Sequence, residues 1–351
     1  MNEKMKEWFM KRVPFNQEKA SKVMSKIFLE EPIPKHMKNW YYALGATPLI
    51  LFGFMVVTGI LLTFYYIPSP NKAYNSVRYI TEEVSMGYWI RGIHRWASNL
   101  MVIAIILHMV RVFFTRGYRK PRELNWIVGI LMFAVTLTLC FTGYSMVYNQ
   151  LSYWAATVGT NMIKEIPIVG TTILDFLRGG QEVSSNTLTR FFNLHIGFLP
   201  TLLFILIIIH IVFIRMHGVS KLEGKEDDEE TYSFYPEHFY HTIIVALFLI
   251  TFISALTIVL PPGLGEPANP NITPAHIKPE WYFFAVYSIL KFVPLKIGVF
   301  LILALVIAAT FWPFIDDMLR KKWPKIKIHY IVGSLTIILF LFFTVYEILV
   351  H

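Results

Sequence analysis

Cysteine is almost missing from this chain: one, Cys140, stands among 351 residues. A single thiol excludes an internal disulfide, a multi-cysteine zinc site, an all-cysteine iron–sulfur cluster and a Cys-x-x-Cys-His haem attachment. Charge is also scarce, at 16% of residues, well below an ordinary soluble domain. Met1 to Glu31 has no apolar core followed by small residues, so it does not read as a cleaved signal peptide. Its mixture of Trp8, Phe9, Met10 and Phe15 with Lys4, Lys6, Lys11 and Arg12 suits a segment lying on a membrane surface. Apolar residues are abundant: 55% of the chain is hydrophobic, with 29 Phe, 18 Tyr and 9 Trp. Several runs reach the ~20 residues that cross a bilayer core. The expected class is all-α, a polytopic membrane protein.

Seven spanning helices are expected, at about 40–66, 88–114, 125–148, 189–214, 238–260, 297–315 and 328–350. The N-terminal segment and the connections on its side hold 22 Lys and Arg, against 9 on the other side. By the positive-inside rule the N-terminus is cytoplasmic and His351 is outside. This topology accounts for the net charge of +9, so nucleic acid is not an expected partner. The expected division is a surface segment (1–39), a four-helix domain (40–217), a charged linker (218–237) and a three-helix domain (238–351). The connection 149–188 is too long for a turn and reads as short amphipathic helices on the outer face. The connection 261–295 reads as a structured outer loop.

The second and fourth helices carry ionisable residues inside apolar runs, which is costly in a membrane and marks function. His94 and His108 are fourteen apart, and His195 and His210 fifteen apart. Fourteen residues make nearly four turns, about 21 Å, so both rings share roughly one face at two depths. The two helices run in the same direction. Topology therefore pairs His94 with His195 near the outer side, and His108 with His210 nearer the cytoplasm. Two imidazoles on one iron give a closed, six-coordinate site suited to electron transfer. Gly45 and Gly59 in the first helix, and Gly129 and Gly143 in the third, repeat the fourteen-residue interval; they leave room for a flat macrocycle at two levels. Arg95, Arg111 and Arg215 lie near the ligands in sequence and are candidate partners for haem propionates. A lone intramembrane histidine is usually a packing residue, and a lone glycine usually marks close helix packing. Two depth-matched pairs with matching glycines are harder to dismiss. The remaining histidines, His36, His217, His238, His241, His276, His329 and His351, read as interfacial.

At these residues the chain resembles the cytochrome b subunit of cytochrome bc and bf complexes. The motifs are Ile93-His94-Arg95-Trp96, Leu107-His108, Lys120-Pro121-Arg122-Glu123-Leu124, Thr189-Arg190-Phe191-Phe192 and Pro279-Glu280-Trp281-Tyr282. The fifteen-residue interval and seven helices resemble the bf branch, with its usually separate four-helix and three-helix parts fused here. The resemblance implies a quinol:cytochrome c oxidoreductase subunit with two non-covalent, bis-histidine b haems, low-potential at His94/His195 and high-potential at His108/His210. It implies an outer quinol-oxidation pocket with Glu280 and Tyr282, and a quinone site near the cytoplasmic side, for which Arg215 and His217 are the candidates. The implied partners are a Rieske-type iron–sulfur protein, a c-type cytochrome, quinone and lipid, in a homodimeric complex of a prokaryotic cytoplasmic membrane. Two departures stand out. Ala43 occupies the position where relatives tether a third haem through cysteine, so no covalent third haem is expected. Val147-Tyr148-Asn149-Gln150 replaces the usual Pro-Trp before an acidic residue or Gly and Gln, which alters the outer pocket wall. A dihaem anchor of a dehydrogenase or hydrogenase is the alternative, and a transporter a more distant one.

Overall fold

A computed structural model describes residues 3–12, 32–38, 40–218, 230–275 and 277–350. Most of the expected N-terminal segment and linker, residues 13–31 and 219–229, lies outside the described residues, as do His276 and His351. The elements in chain order are α1 (Glu3–Arg12), α2 (Thr47–Thr63), α3 (Ala73–Glu82), α4 (Gly87–Phe114), α5 (Glu123–Ser145), α6 (Gln150–Lys164) and α7 (Gly170–Arg178). They continue with α8 (Ser185–His217), α9 (Phe239–Val259), α10 (Phe284–Phe292), α11 (Leu295–Thr310), α12 (Trp312–Lys322) and α13 (Ile328–Leu349). A two-stranded antiparallel ribbon joins β1 (Pro32–Pro34) to β2 (Thr231–Ser233).

Among the described residues, six helices are long and apolar enough to cross a membrane. They correspond to expected spans one to five and seven. At most 28% of any spanning window is buried inside the chain, so the outward apolar faces need an apolar surrounding rather than water. The protein is an all-α, integral membrane protein. The expected sixth span, 297–315, is not one straight helix. α11 ends at Thr310 and meets α12 at a 73° bend. Pro313 is the cause: it cannot donate to the preceding turn, and it sits at the start of α12, where that donor is not needed. Sixteen residues of α11 rise only about 24 Å at 1.5 Å each, short of the ~30 Å core.

α2 packs along α4, α5 along α8, and α9 against α4 and α2. Leu51, Ile93, Ala97, Met101, Leu203 and Ile253 knit these helices into one core. α10 packs on α13. α1 also docks on the bundle: Arg12 Nη2 lies 2.6 Å from Glu123 Oε1, both side chains are buried, and the guanidinium lies over the Trp8 ring. The 149–188 connection folds into short helices, α6 and α7, as expected. Asn149 caps α6 by accepting from Ser152 N, while Ser152 Oγ accepts from Asn149 N. α3, in the connection before α4, was not foreseen.

Candidate haem and quinone sites

α4 and α8 bring the four histidines into two facing pairs. The His94 and His195 ring centres are 6.2 Å apart with planes crossing at 66°. Those of His108 and His210 are 6.5 Å apart and cross at 70°. With roughly 2 Å for each metal–imidazole bond and roughly 1 Å from nitrogen to ring centre, two rings sharing one metal stand about 6 Å apart. Both pairs fit that span. Among the described residues no group of three or more His, Cys, Asp or Glu gathers as a metal site. Two imidazoles facing across one gap are a donor set that fits a haem, which both rings of a pair would hold.

α8 reaches this geometry through a local irregularity. Leu194–Phe198 forms a π-turn at His195, and a π-turn accommodates one extra residue in a helix. The extra residue reconciles a fifteen-residue interval in α8 with a fourteen-residue interval in α4.

Each glycine stands behind one histidine. A Cβ at Gly59 would lie 3.3 Å from His94 Cε1, and one at Gly143 would lie 2.6 Å from His195 Cε1. At Gly45 it would lie 3.6 Å from His108 Cε1, and at Gly129 3.8 Å from His210 Cε1. The room these glycines leave is filled in part by the imidazoles themselves. Two neighbouring hydroxyls escaped the sequence reading. Thr58 Oγ1 is 2.9 Å from His94 Nδ1, and Thr142 Oγ1 is 3.1 Å from His195 Nδ1.

The arginines divide. Arg111 Nη2 approaches His108 Nδ1 at 3.4 Å, beside the inner pair. Arg215 lies over the Phe234 ring, 5.3 Å from its centre. Arg95 Nη2 lies 2.6 Å from both carboxylate oxygens of Glu280. The candidate proton acceptor is thus tied to the residue that follows a candidate ligand. Trp281 Nε1 donates to Asn99 Oδ1 at 2.7 Å, and Tyr282 is buried with Val102 and Cys140. Arg91, not singled out from sequence, donates to the Pro262 and Gly263 carbonyls.

The altered Val147-to-Gln150 stretch has a structural role. Asn149 Nδ2 donates to Leu264 O, Gln150 Nε2 donates to Ile272 O, and Gln150 Oε1 accepts from Asn269 N. These bonds pin α6 to the loop that leads to Glu280. Burial pushes the Tyr148 and Tyr153 phenols above their ordinary value, so both stay protonated well past neutral pH.

At the other end, a cavity of about 560 Å³ contains the inner pair, with Gly45, Gly129, His108 and His210 on its walls. It extends to Lys38, His238 and His241. Arg215 and His217, the residues expected at an inner quinone site, do not line it. His238 and His241 were read from sequence only as interfacial. His329, read the same way, is 2% exposed and packs on Tyr330.

Residues 28–218 match the family model Cytochrome b/b6/petB, and residues 267–350 match Cytochrome b(C-terminal)/b6/petD. The chain belongs to the cytochrome b/b6 family. Its N-terminal part is similar to the cytochrome b6 of Acaryochloris marina, 41% identical over 217 residues, which are 62% of this chain and 98% of that one. It is similar to the cytochrome b6 of Heliobacterium mobile, 42% identical over 191 residues, 54% of this chain and 90% of that one. The cytochrome b6 of Gloeobacter violaceus is 42% identical over 217 residues, again 62% and 98% of the two chains. A solved structure titled Hyperthermophilic respiratory Complex III superposes with a TM-score of 0.76 at 26% identity, covering 97% of this chain and 96% of that one. As a cytochrome b/b6 protein carrying both the N-terminal and the C-terminal parts in one chain, it is a membrane electron-transport subunit of a family whose cofactors are b-type haems.

Proposed function

We propose that this chain is the cytochrome b subunit of a quinol:cytochrome c oxidoreductase. In this reading His94 with His195, and His108 with His210, hold two non-covalent b haems. Bound there, the haems supply a one-electron connection between the two sides of the membrane. The observation that carries the reading is the pair of imidazole gaps, 6.2 and 6.5 Å, stacked along α4 and α8.

Quinol oxidation releases two protons and two electrons. Glu280, on the loop before α10, is the proposed proton acceptor at the outer site, and Tyr282 is the proposed hydrogen-bond partner of the quinol. Arg95 holds the Glu280 carboxylate with both oxygens engaged; an acceptor-only carboxylate matches a guanidinium donor. Taking up a proton requires that grip to loosen, so Arg95 sets when Glu280 is available. Trp281 on Asn99, and Asn149 and Gln150 on the 264–272 loop, fix the wall around it. At the inner site, Lys38, His238 and His241 join Arg215 and His217 as the chain's proposed contacts to quinone. The chain has no cluster-binding cysteine set, so a Rieske-type iron–sulfur protein and a c-type cytochrome are the proposed electron acceptors. The setting is a homodimeric complex in a prokaryotic cytoplasmic membrane, with the N-terminus inside.

A reduced-minus-oxidised spectrum with haem quantification on the purified complex tests the reading. Two b-type components are expected, and His108→Ala or His210→Ala removes one of them. Glu280→Gln is expected to cut quinol turnover at least tenfold while both components remain. Unchanged turnover in Glu280→Gln would favour a dihaem anchor, and a spectrum without haem bands would favour a transporter.

A further inference from the structure

The two imidazole pairs differ in what stands behind them. In α2 and α5 the residue before each outer glycine is a threonine, giving Thr58-Gly59 and Thr142-Gly143. Before each inner glycine it is apolar, giving Leu44-Gly45 and Val128-Gly129. The repeated framework therefore places hydroxyls at one level only. Thr58 Oγ1 lies 2.7 Å from Phe54 O and 2.9 Å from His94 Nδ1. Thr142 Oγ1 lies 2.9 Å from Thr138 O and 3.1 Å from His195 Nδ1. Both threonines are buried.

A hydroxyl has one proton, and a backbone carbonyl can only accept. Each threonine spends its proton on its own helix, so its lone pair faces the imidazole. The ring must then donate from Nδ1, which leaves the Nε2 lone pair for a metal. The inner pair lacks this device. The side chain beside His108 Nδ1 is the Arg111 guanidinium, a cation at 3.4 Å, and His210 meets the Asn125 backbone rather than a side-chain hydroxyl among the described residues.

We propose that Thr58 and Thr142 are positioning residues that lock His94 and His195 in the Nδ1–H form and lower the reduction potential of the haem they hold relative to the inner one. This rests on the reading that the outer histidines ligate a b haem. A hydrogen bond accepted from Nδ1–H makes imidazole a more basic ligand, which favours the oxidised iron. Arg111 beside the inner pair acts in the opposite sense. The two residues that precede the outer glycines thus contribute to the potential difference between the two levels.

Redox titration of the full complex, following the visible bands of each haem, tests this. Thr58→Val and Thr142→Val are expected to raise the outer midpoint. The double variant shifts it by roughly tenfold in the equilibrium constant, about 59 mV for one electron, and leaves the inner midpoint in place. Thr58→Ser and Thr142→Ser keep the hydroxyl and are expected to retain the wild-type value. Loss of the outer haem in the Val variants with retention in the Ser variants equally supports the positioning role. The proposal is overturned if the Val variants leave the outer midpoint unchanged, if both haems shift alike, or if Ser and Val variants behave alike. Absence of two b-type components from the unsubstituted complex would instead defeat the ligand assignment beneath it.

Discussion

A methyl group added at Gly143 would stand 2.6 Å from His195 Cε1, whereas one at Gly129 would stand 3.8 Å from His210 Cε1. The first distance demands that the imidazole move; the second is ordinary contact. Alanine also favours a helix over glycine by about 1 kcal/mol. Gly143→Ala is therefore expected to displace the outer ring, an overpacking cost of about 1–3 kcal/mol, and to lose most of one haem component. Gly129→Ala is expected to leave His210 in place and to lose haem only through the methyl group entering the cavity that Gly129 walls. Haem content and thermal unfolding of the two purified variants check this. At this scale the histidines and glycines were legible because ionisable groups and missing side chains stand out in an apolar run. Thr58 and Thr142 were not, because a threonine in such a run normally bonds its own backbone. Their second partners lie 36 and 53 residues away in the chain. The Arg95–Glu280 bond was equally hidden, since its partners are 185 residues apart.

The elements follow apolar run length closely, and they fail where length alone misleads. The run 297–315 contained its own warning in Pro313, which bends α11 away from α12. α3 escaped notice because Ala73–Glu82 is amphipathic rather than uniformly apolar. The π-turn of α8 gives the most decisive test. Each residue of an α-helix turns by about 100°, so an extra residue not absorbed locally would rotate His210 away from His108. Gly197 lies in the π-turn, and a Cβ there would meet nothing within 4 Å. Deleting Gly197 is expected to convert the turn to α-helix, restore a fourteen-residue interval and leave both haem components in place. Deleting Ile205, in the regular part of the same helix, is expected to lose one. Equal behaviour of the two deletions in the visible spectrum would refute the role given to the π-turn.

In the whole molecule, the stretches matched by the two family models are bonded to each other at both ends of the bundle. Arg95 holds Glu280, and Asn99 accepts from Trp281. At the opposite end Arg116 meets Asp316 in a buried ion pair of 2.7 Å, and Trp126 Nε1 donates to Ala309 O at 2.8 Å. Removing one member of a buried pair costs about 3–5 kcal/mol because it strands the other charge, so these pairs fix register, while the shared apolar core of Leu51, Ile93, Ala97 and Ile253 supplies cohesion without a covalent link. Arg116 and Asp316 are 200 residues apart, and nothing in their local sequence names the partner.

The Arg95–Glu280 bond makes the proposed electron-carrying half and the proposed proton-accepting half of the molecule neighbours by side-chain grip, independently of the peptide that joins them. Whether the molecule is written as one polypeptide or two should therefore matter little to its assembly. A gene split between Gly218 and Glu230 is expected to yield two fragments that co-purify and carry the intact spectrum. Fragments that part on a detergent column would show that the peptide link itself does the holding.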